Sequence, residues 1–242
     1  MIMKNNIIFD LDGTLTESRS EITQRMIDAL ADLCLAGKQI AITSGASLEQ
    51  MCKQIPFLMS DRWPFHVLPQ SGNEYYYEGE KIWENMLSAG ETQEIYRHIA
   101  QIQDEYEPLT EFRKDHRGSQ IAYSLLGHDA DKKQKKEFDP DGSRRRELLG
   151  EYPLKSRNIE VRIGGTTCLD YTKKGRNKGY YVKELARHNG WDLEECVYLG
   201  DALFKGGNDE SVLGICDCIE VESPRETIEM IKMLAKHEYP DI

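Results

Sequence analysis

The feature that most constrains this chain is the run Ile7-Ile8-Phe9-Asp10-Leu11-Asp12-Gly13-Thr14-Leu15-Thr16. Apolar, partly β-branched residues give way at once to two carboxylates, a glycine and two hydroxyls. Such a stretch reads as a buried parallel strand that delivers Asp10 and Asp12 to its C-terminal end. Ligands of open α/β sheets bind outside the carboxyl ends of the strands, so these acids fall where chemistry is usually found. Two like charges this close call for a cation, and oxygen-only donors suit a hard one such as Mg²⁺.

The rest of the chain follows an α/β rhythm with one interruption. A helix capped by Ser18 or Ser20 is predicted to about Ala36, with Ile22, Met26, Leu30 and Leu33 as its apolar stripe. The strand Gln39–Thr43 then ends at Ser44-Gly45, and Ser47 with Gln50 fits a capping box for the next helix. After the strand at His66–Pro69 the character changes: a hairpin over Tyr75–Trp83, a helix over 92–106, a strand over Ser119–Leu126 and a charged helix over Asp131–Leu149. Two further strands follow near 159–163 and 166–171. Hairpins and helices grouped this way are α+β in style. The α/β rhythm resumes with a helix from Lys178, a strand ending at Gly200-Asp201 and a last helix opened by Ser223-Pro224. The expected fold is a doubly wound, Rossmann-like parallel-sheet core, residues 1–78 and 174–242, with an α+β domain inserted at 79–173.

Asp10 and Asp12, Ser44, Lys178, and Asp201 with Asn208 and Asp209 all lie at strand ends or helix starts of the α/β part. A doubly wound sheet gathers such positions along one edge. A carboxylate can attack phosphorus when a metal and a cation neutralise the converging charge. Asp10 is then the nucleophile, and Asp12 the acid and base that protonates the leaving oxygen and deprotonates the incoming hydroxyl. Asp10, the Asp12 carbonyl and Asp201 would hold Mg²⁺. Ser44 and Lys178 would bind phosphoryl oxygens, with Asn208 and Asp209 orienting the metal's waters or Lys178.

Composition narrows the partners. Lys plus Arg number 31 against 42 Asp plus Glu, a net charge of −11, which disfavours nucleic acid. No apolar run approaches the roughly 20 residues of a membrane span, and the N-terminus lacks the apolar core of a signal peptide. A cytoplasmic protein is expected. The cysteines form no C-x-x-C pair, so reduced thiols are expected rather than a zinc site.

These motifs resemble those of the haloacid dehalogenase superfamily. Phe9–Thr16 is similar to its first motif and Ile42-Thr43-Ser44-Gly45 to its second, Gly45 included in phosphate binding. Lys178 resembles the third motif, and Gly200-Asp201 through Gly207-Asn208-Asp209 the fourth. The insert after the third strand implies a C2-type cap that governs substrate choice. Within the superfamily the chain looks most like the eukaryotic-type phosphomannomutases, from the spacing of Gly200–Asp209 and from Ile163-Gly164-Gly165, Asp170 and Asn177-Lys178. That likeness implies substrate-binding roles for Arg19 and, in the cap, for Arg117, Ser124, His128 and Asp170. His128 stands where the mutase pattern has an arginine after Gly127, Lys135 where a further arginine falls, and Cys168 where a serine is expected. Lysine and histidine replace a bidentate arginine only in part. The expected activity is a Mg²⁺-dependent phosphatase of a sugar phosphate or similar small phosphomonoester, with phosphohexomutase as the alternative. A homodimer is compatible with the likeness.

Overall fold

β1 (Asn6–Asp10) is buried from end to end, as an apolar run without polar alternation requires of a central parallel strand. Parallel to it run β2 (Gln39–Thr43) and β10 (Cys196–Gly200), with β3 (Phe65–Leu68) and β11 (Asp217–Glu220) outside them. An antiparallel hairpin, β4 (Glu74–Tyr77) and β5 (Glu80–Glu84), extends the sheet to the order β11-β10-β1-β2-β3-β4-β5. Alternate residues of β1 bury against different helices. Ile7 and Phe9 share a core with Met26, Leu30 and Leu33 of α1 (Gln24–Leu35), Met51 of α2 (Leu48–Gln54), and Ile231 and Leu234 of α7 (Pro224–Ala235). Ile8 packs with Tyr181, Val182 and Leu185 of α6 (Lys178–Asn189). This is the doubly wound, Rossmann-like core. The computed structural model describes residues 3–236, and among these no helix is long and apolar enough to cross a membrane.

The chain divides into two compact units, one running to Glu84 and resuming at Arg176, the other Asn85–Gly175. The second unit is a four-stranded antiparallel sheet, ordered β6-β7-β9-β8, from β6 (Lys114–His116), β7 (Gln120–Ser124), β8 (Ile159–Gly164) and β9 (Cys168–Lys173). Ile95 and Ile99 of α3 (Ala89–Ile102) and Leu148 of α5 (Ser143–Glu151) share one core with Ile121, Tyr123, Leu169 and Tyr171 of that sheet. Side chains alternate across a strand, so the neighbouring positions Ala122, Ser124, Cys168 and Asp170 belong to the other sheet face.

Three local expectations are corrected. Thr23, not Ser18 or Ser20, caps α1, its hydroxyl accepting the Met26 N–H at 3.3 Å; Ser20 lies in a preceding turn closed on the Glu17 carbonyl. The charged stretch after Asp131 is two helices, α4 (Lys132–Phe138) and α5, because Pro140 disfavours helix before it and Gly142 takes a left-handed φ of +75°. Residues 80–84, assigned to the insert on sequence, pair with β4 in the core sheet. Their charges, Glu80, Lys81 and Glu84, suit an edge strand, which needs protection from further pairing.

His66 on β3 is 3% exposed, with Nδ1 2.7 Å from the Tyr75 hydroxyl and its ring stacked on Tyr77. Burial, helped by nearby His188, depresses its pKa from 6.5 to about 4. Between those values the unfolded chain binds the proton that the folded chain refuses. The stability is therefore complete above pH 6.5 and is lost as pH falls, by on the order of 3 kcal/mol in all. Thermal unfolding of His66→Gln is expected to decline less steeply than wild type between pH 6.5 and 4. Parallel slopes would remove His66 from the acid sensitivity.

Candidate active site

The strand register brings the candidate residues to one edge of the core sheet. Asp10 ends β1, opposite Thr43 of β2, so Ser44 stands one residue beyond it at the same edge. On the other side Phe9 pairs with Leu199, so Gly200 and Asp201 follow at that edge too. After Asp10 the chain makes a tight turn, closed by Leu15 N–H on the Leu11 carbonyl (2.9 Å) and by Gly13 N–H on the Thr16 carbonyl (2.7 Å). Gly13 is obligatory there. Its φ is +82°, and a Cβ would fall 2.2 Å from an Asp201 carboxylate oxygen.

Lys178 is the electrostatic centre. It opens α6 behind the Asn177 cap, whose side chain accepts the Tyr180 N–H at 3.0 Å. Its ammonium, 2% exposed, donates to Asp10 Oδ1 and, at 2.6 Å, to Asp209 Oδ1. Burial opposes its charge, but the Asp10 and Asp209 carboxylates outweigh that and hold its pKa above the ordinary value. Burial also pushes Asp10 up to about 7, against Lys178 and reinforced by Asp209 and Asp201. Asp201 is raised as well, by burial and by Asp209.

One cation does not balance this much negative charge. Asp10, Asp201 and Asp209 each offer an oxygen within 4.8 Å of the others, and Asp10 Oδ2 and Asp209 Oδ2 are buried without a hydrogen-bond partner. Orphaned carboxylate oxygens in a closely spaced, oxygen-only set fit a hard divalent cation, which would reverse the upward pressure on their pKa values.

The other sequence-predicted residues are placed as follows. The Asp12 carboxylate accepts from the Arg19 backbone N–H (2.8 Å) and from Gln54 Nε2 (3.1 Å). Arg19 thus meets Asp12 through its backbone, in a left-handed conformation (φ 57°), and is exposed. Ser44 is buried, its Oγ accepting the Ala46 N–H at 3.1 Å, while Gly45 and Asn208 are exposed. In the second unit, Ser124 Oγ is spent internally, 3.0 Å from Thr167 Oγ1 and accepting the Gly127 N–H. Arg117 Nε donates to Asp115 at 2.7 Å, and His128 Nε2 donates to the Ala122 carbonyl at 3.1 Å. Asp170 has its pKa raised by burial and eased by Arg117, its Gln120 hydrogen bond and His128.

Two residues carry no motif signal. Gln54, 1% exposed, joins Asp12 to Thr16, donating to the Thr16 hydroxyl at 2.9 Å. Tyr198, within β10, donates its hydroxyl to Asp209 Oδ1 at 2.6 Å. Gln54 reads as one more polar residue at a helix end, and Tyr198 as one more apolar strand residue.

Residues 7–141 match the haloacid dehalogenase-like hydrolase family. The chain belongs to that family. A phosphomannomutase from Dendrobium officinale is 25% identical over 245 residues, covering 94% of this chain and 92% of its own. An IMP-nucleotidase of Plasmodium falciparum, solved with IMP bound, superposes with a TM-score of 0.66 at 15% identity, over 97% of this chain and 68% of that one. A haloacid dehalogenase-like hydrolase from Bacteroides thetaiotaomicron gives 0.62 at 17% identity, over 95% and 99%. The fold and the family are those expected from the strand-end motifs.

Proposed function

We propose that this protein is a Mg²⁺-dependent phosphatase of a sugar phosphate or similar small phosphomonoester, acting through an aspartyl-phosphate on Asp10. The observation that carries this reading is the Lys178 bridge: the buried ammonium fixes the Asp10 carboxylate at the strand end and leaves Oδ2 without a protein partner, which suits a carboxylate shared between a cation and phosphorus. Asp12, two residues on, protonates the leaving oxygen and then takes the proton of the attacking water. Gln54 and the Arg19 N–H both engage Asp12 Oδ1, which fixes the carboxylate's orientation for that task. Ser44 and Lys178 would take phosphoryl oxygens, with Gly45 beside them. Asp10, Asp201 and the Asp12 carbonyl would hold Mg²⁺, with Asn208 and Asp209 supporting it. What a bound Mg²⁺ supplies is neutralisation of the charge that otherwise repels a phosphate dianion.

Hydrolysis rather than mutase chemistry is supported by how the cations of the inserted unit are spent. A mutase must grip a second phosphate while it passes the first to a sugar hydroxyl. Lys135 donates to the His128 carbonyl at 2.6 Å, and His128 to the Ala122 carbonyl. Arg145 is buried on Asp139 and on the carbonyls of Gly164, Gly165 and Cys168. Arg113 donates to the Ser124 and Gln103 carbonyls, and Arg117 gives its Nε to Asp115, keeping its terminal nitrogens, with Asp170, for substrate hydroxyls or a single phosphate. The mutase alternative draws on the phosphomannomutase relatives, whose likeness spans nearly the whole chain.

One assay separates the two. Mannose 1-phosphate, Mg²⁺ and a catalytic amount of hexose bisphosphate are expected to yield inorganic phosphate. Accumulation of mannose 6-phosphate without phosphate release would overturn the phosphatase reading in favour of the mutase.

A further inference from the structure

Tyr198 belongs to none of the four motifs, yet it touches the site from inside the sheet. Its register partners are Ile8 on β1 and Cys218 on β11, and it is fully buried in the cluster containing Tyr181, Val182 and Val212. A phenol in such packing is cut off from water, so its hydroxyl needs a partner within the protein. That partner is Asp209 Oδ1, the same oxygen that receives Lys178. Two donors converge on one oxygen, and Oδ2 of the same carboxylate has none although it is buried. Gly200 makes the space for it: a Cβ there would lie 2.5 Å from Asp209 Oδ2 and 2.8 Å from the Tyr198 ring. The hydroxyl and the ammonium thus hold Oδ1, while Oδ2 lies in the space that Gly200 leaves open.

We infer that Tyr198 is a positioning residue whose hydroxyl commits Asp209 Oδ1 to Lys178 and keeps Oδ2 free for the divalent cation or its water. The inference rests on the proposed cation-assisted phosphoryl transfer and adds a residue that the motifs do not contain. A carboxylate held by Lys178 alone can turn either oxygen to the ammonium, and then neither is reserved.

Tyr198→Phe keeps the ring and deletes the hydroxyl. Free Mn²⁺, followed by electron paramagnetic resonance during titration, is expected to show binding weakened on the order of 10-fold. For turnover, kcat is expected to fall by a similar factor with KM changed less than about twofold. In an Asp209→Asn background the same substitution is expected to change Mn²⁺ affinity by less than about twofold, because the group it acts through is gone. Unchanged Mn²⁺ affinity in Tyr198→Phe, or an equal loss in both backgrounds, overturns the inference while leaving the phosphatase reading intact. Wild-type protein that binds no Mn²⁺ overturns both. If Tyr198→Phe yields no folded protein, proton NMR of the wild type decides. The shielded Tyr198 hydroxyl proton is expected to shift when Mg²⁺ is added, and a resonance indifferent to Mg²⁺ overturns the assignment.

Discussion

Asp10→Asn is expected to abolish phosphate release, lowering kcat by at least about three orders of magnitude, while the protein stays folded. The amide matches the carboxylate in shape but cannot serve as the nucleophile, so the covalent route closes. Stability should survive, because Lys178 keeps Asp209 at 2.6 Å and is not left as an unpaired buried charge. Burial already works against the Asp10 charge, pushing its pKa up to about 7, so a neutral side chain relieves a penalty. In chelator at pH 8 the variant is therefore expected to melt no lower than wild type. Steady-state phosphate release and thermal unfolding check the two halves. Turnover within tenfold of wild type would dismiss Asp10 as nucleophile.

The candidate site was legible wherever chemistry coincides with a change of sequence character. Asp10 and Asp201 each terminate an apolar run, and a parallel sheet sends such termini to one edge whatever the loops do. The partners that orient them were not legible, for a physical reason. Tyr198 sits mid-strand, where an aromatic residue is the ordinary filling of a sheet. Gln54 meets Asp12 only because α2 returns its last turn to the loop after β1. In both cases the decisive fact is a hydrogen bond made through the fold, 42 residues apart for Gln54 and Asp12 and 11 for Tyr198 and Asp209, which leaves no local pattern. The break at Pro140 is of another kind. The proline itself forecasts it, but a long run of charged helix formers on both sides hides it. In the inserted unit, cationic residue types were visible at Lys135, His128 and Arg145, but not that backbone carbonyls consume their donors.

The largest combined effect on activity and stability is expected for Lys178→Met. The buried ammonium donates to both Asp10 and Asp209, and without it two buried carboxylates face each other with no cation. Removing one member of a buried charge set costs about 3–5 kcal/mol, here because like charges are left desolvated together. The loss has a sign in pH. Burial and the neighbouring Asp209 and Asp201 carboxylates raise Asp10 above 3.8 even in the wild type, and deleting Lys178 takes away the group that lowers it. A carboxyl whose folded pKa lies above its unfolded value binds a proton on folding, so the variant loses stability as pH rises through that interval. In chelator its melting temperature relative to wild type, which cancels the His66 contribution, should be least depressed near pH 5 and fall further behind toward pH 8. Divalent cation should recover part of the loss at pH 8 by binding the folded state, in proportion to RT ln(1 + [L]/Kd). Phosphate release should stay undetectable throughout, because the group that would hold a phosphoryl oxygen is absent. A variant as stable as wild type at pH 8 in chelator would mean that the three acids lie in a wetter site than their burial indicates.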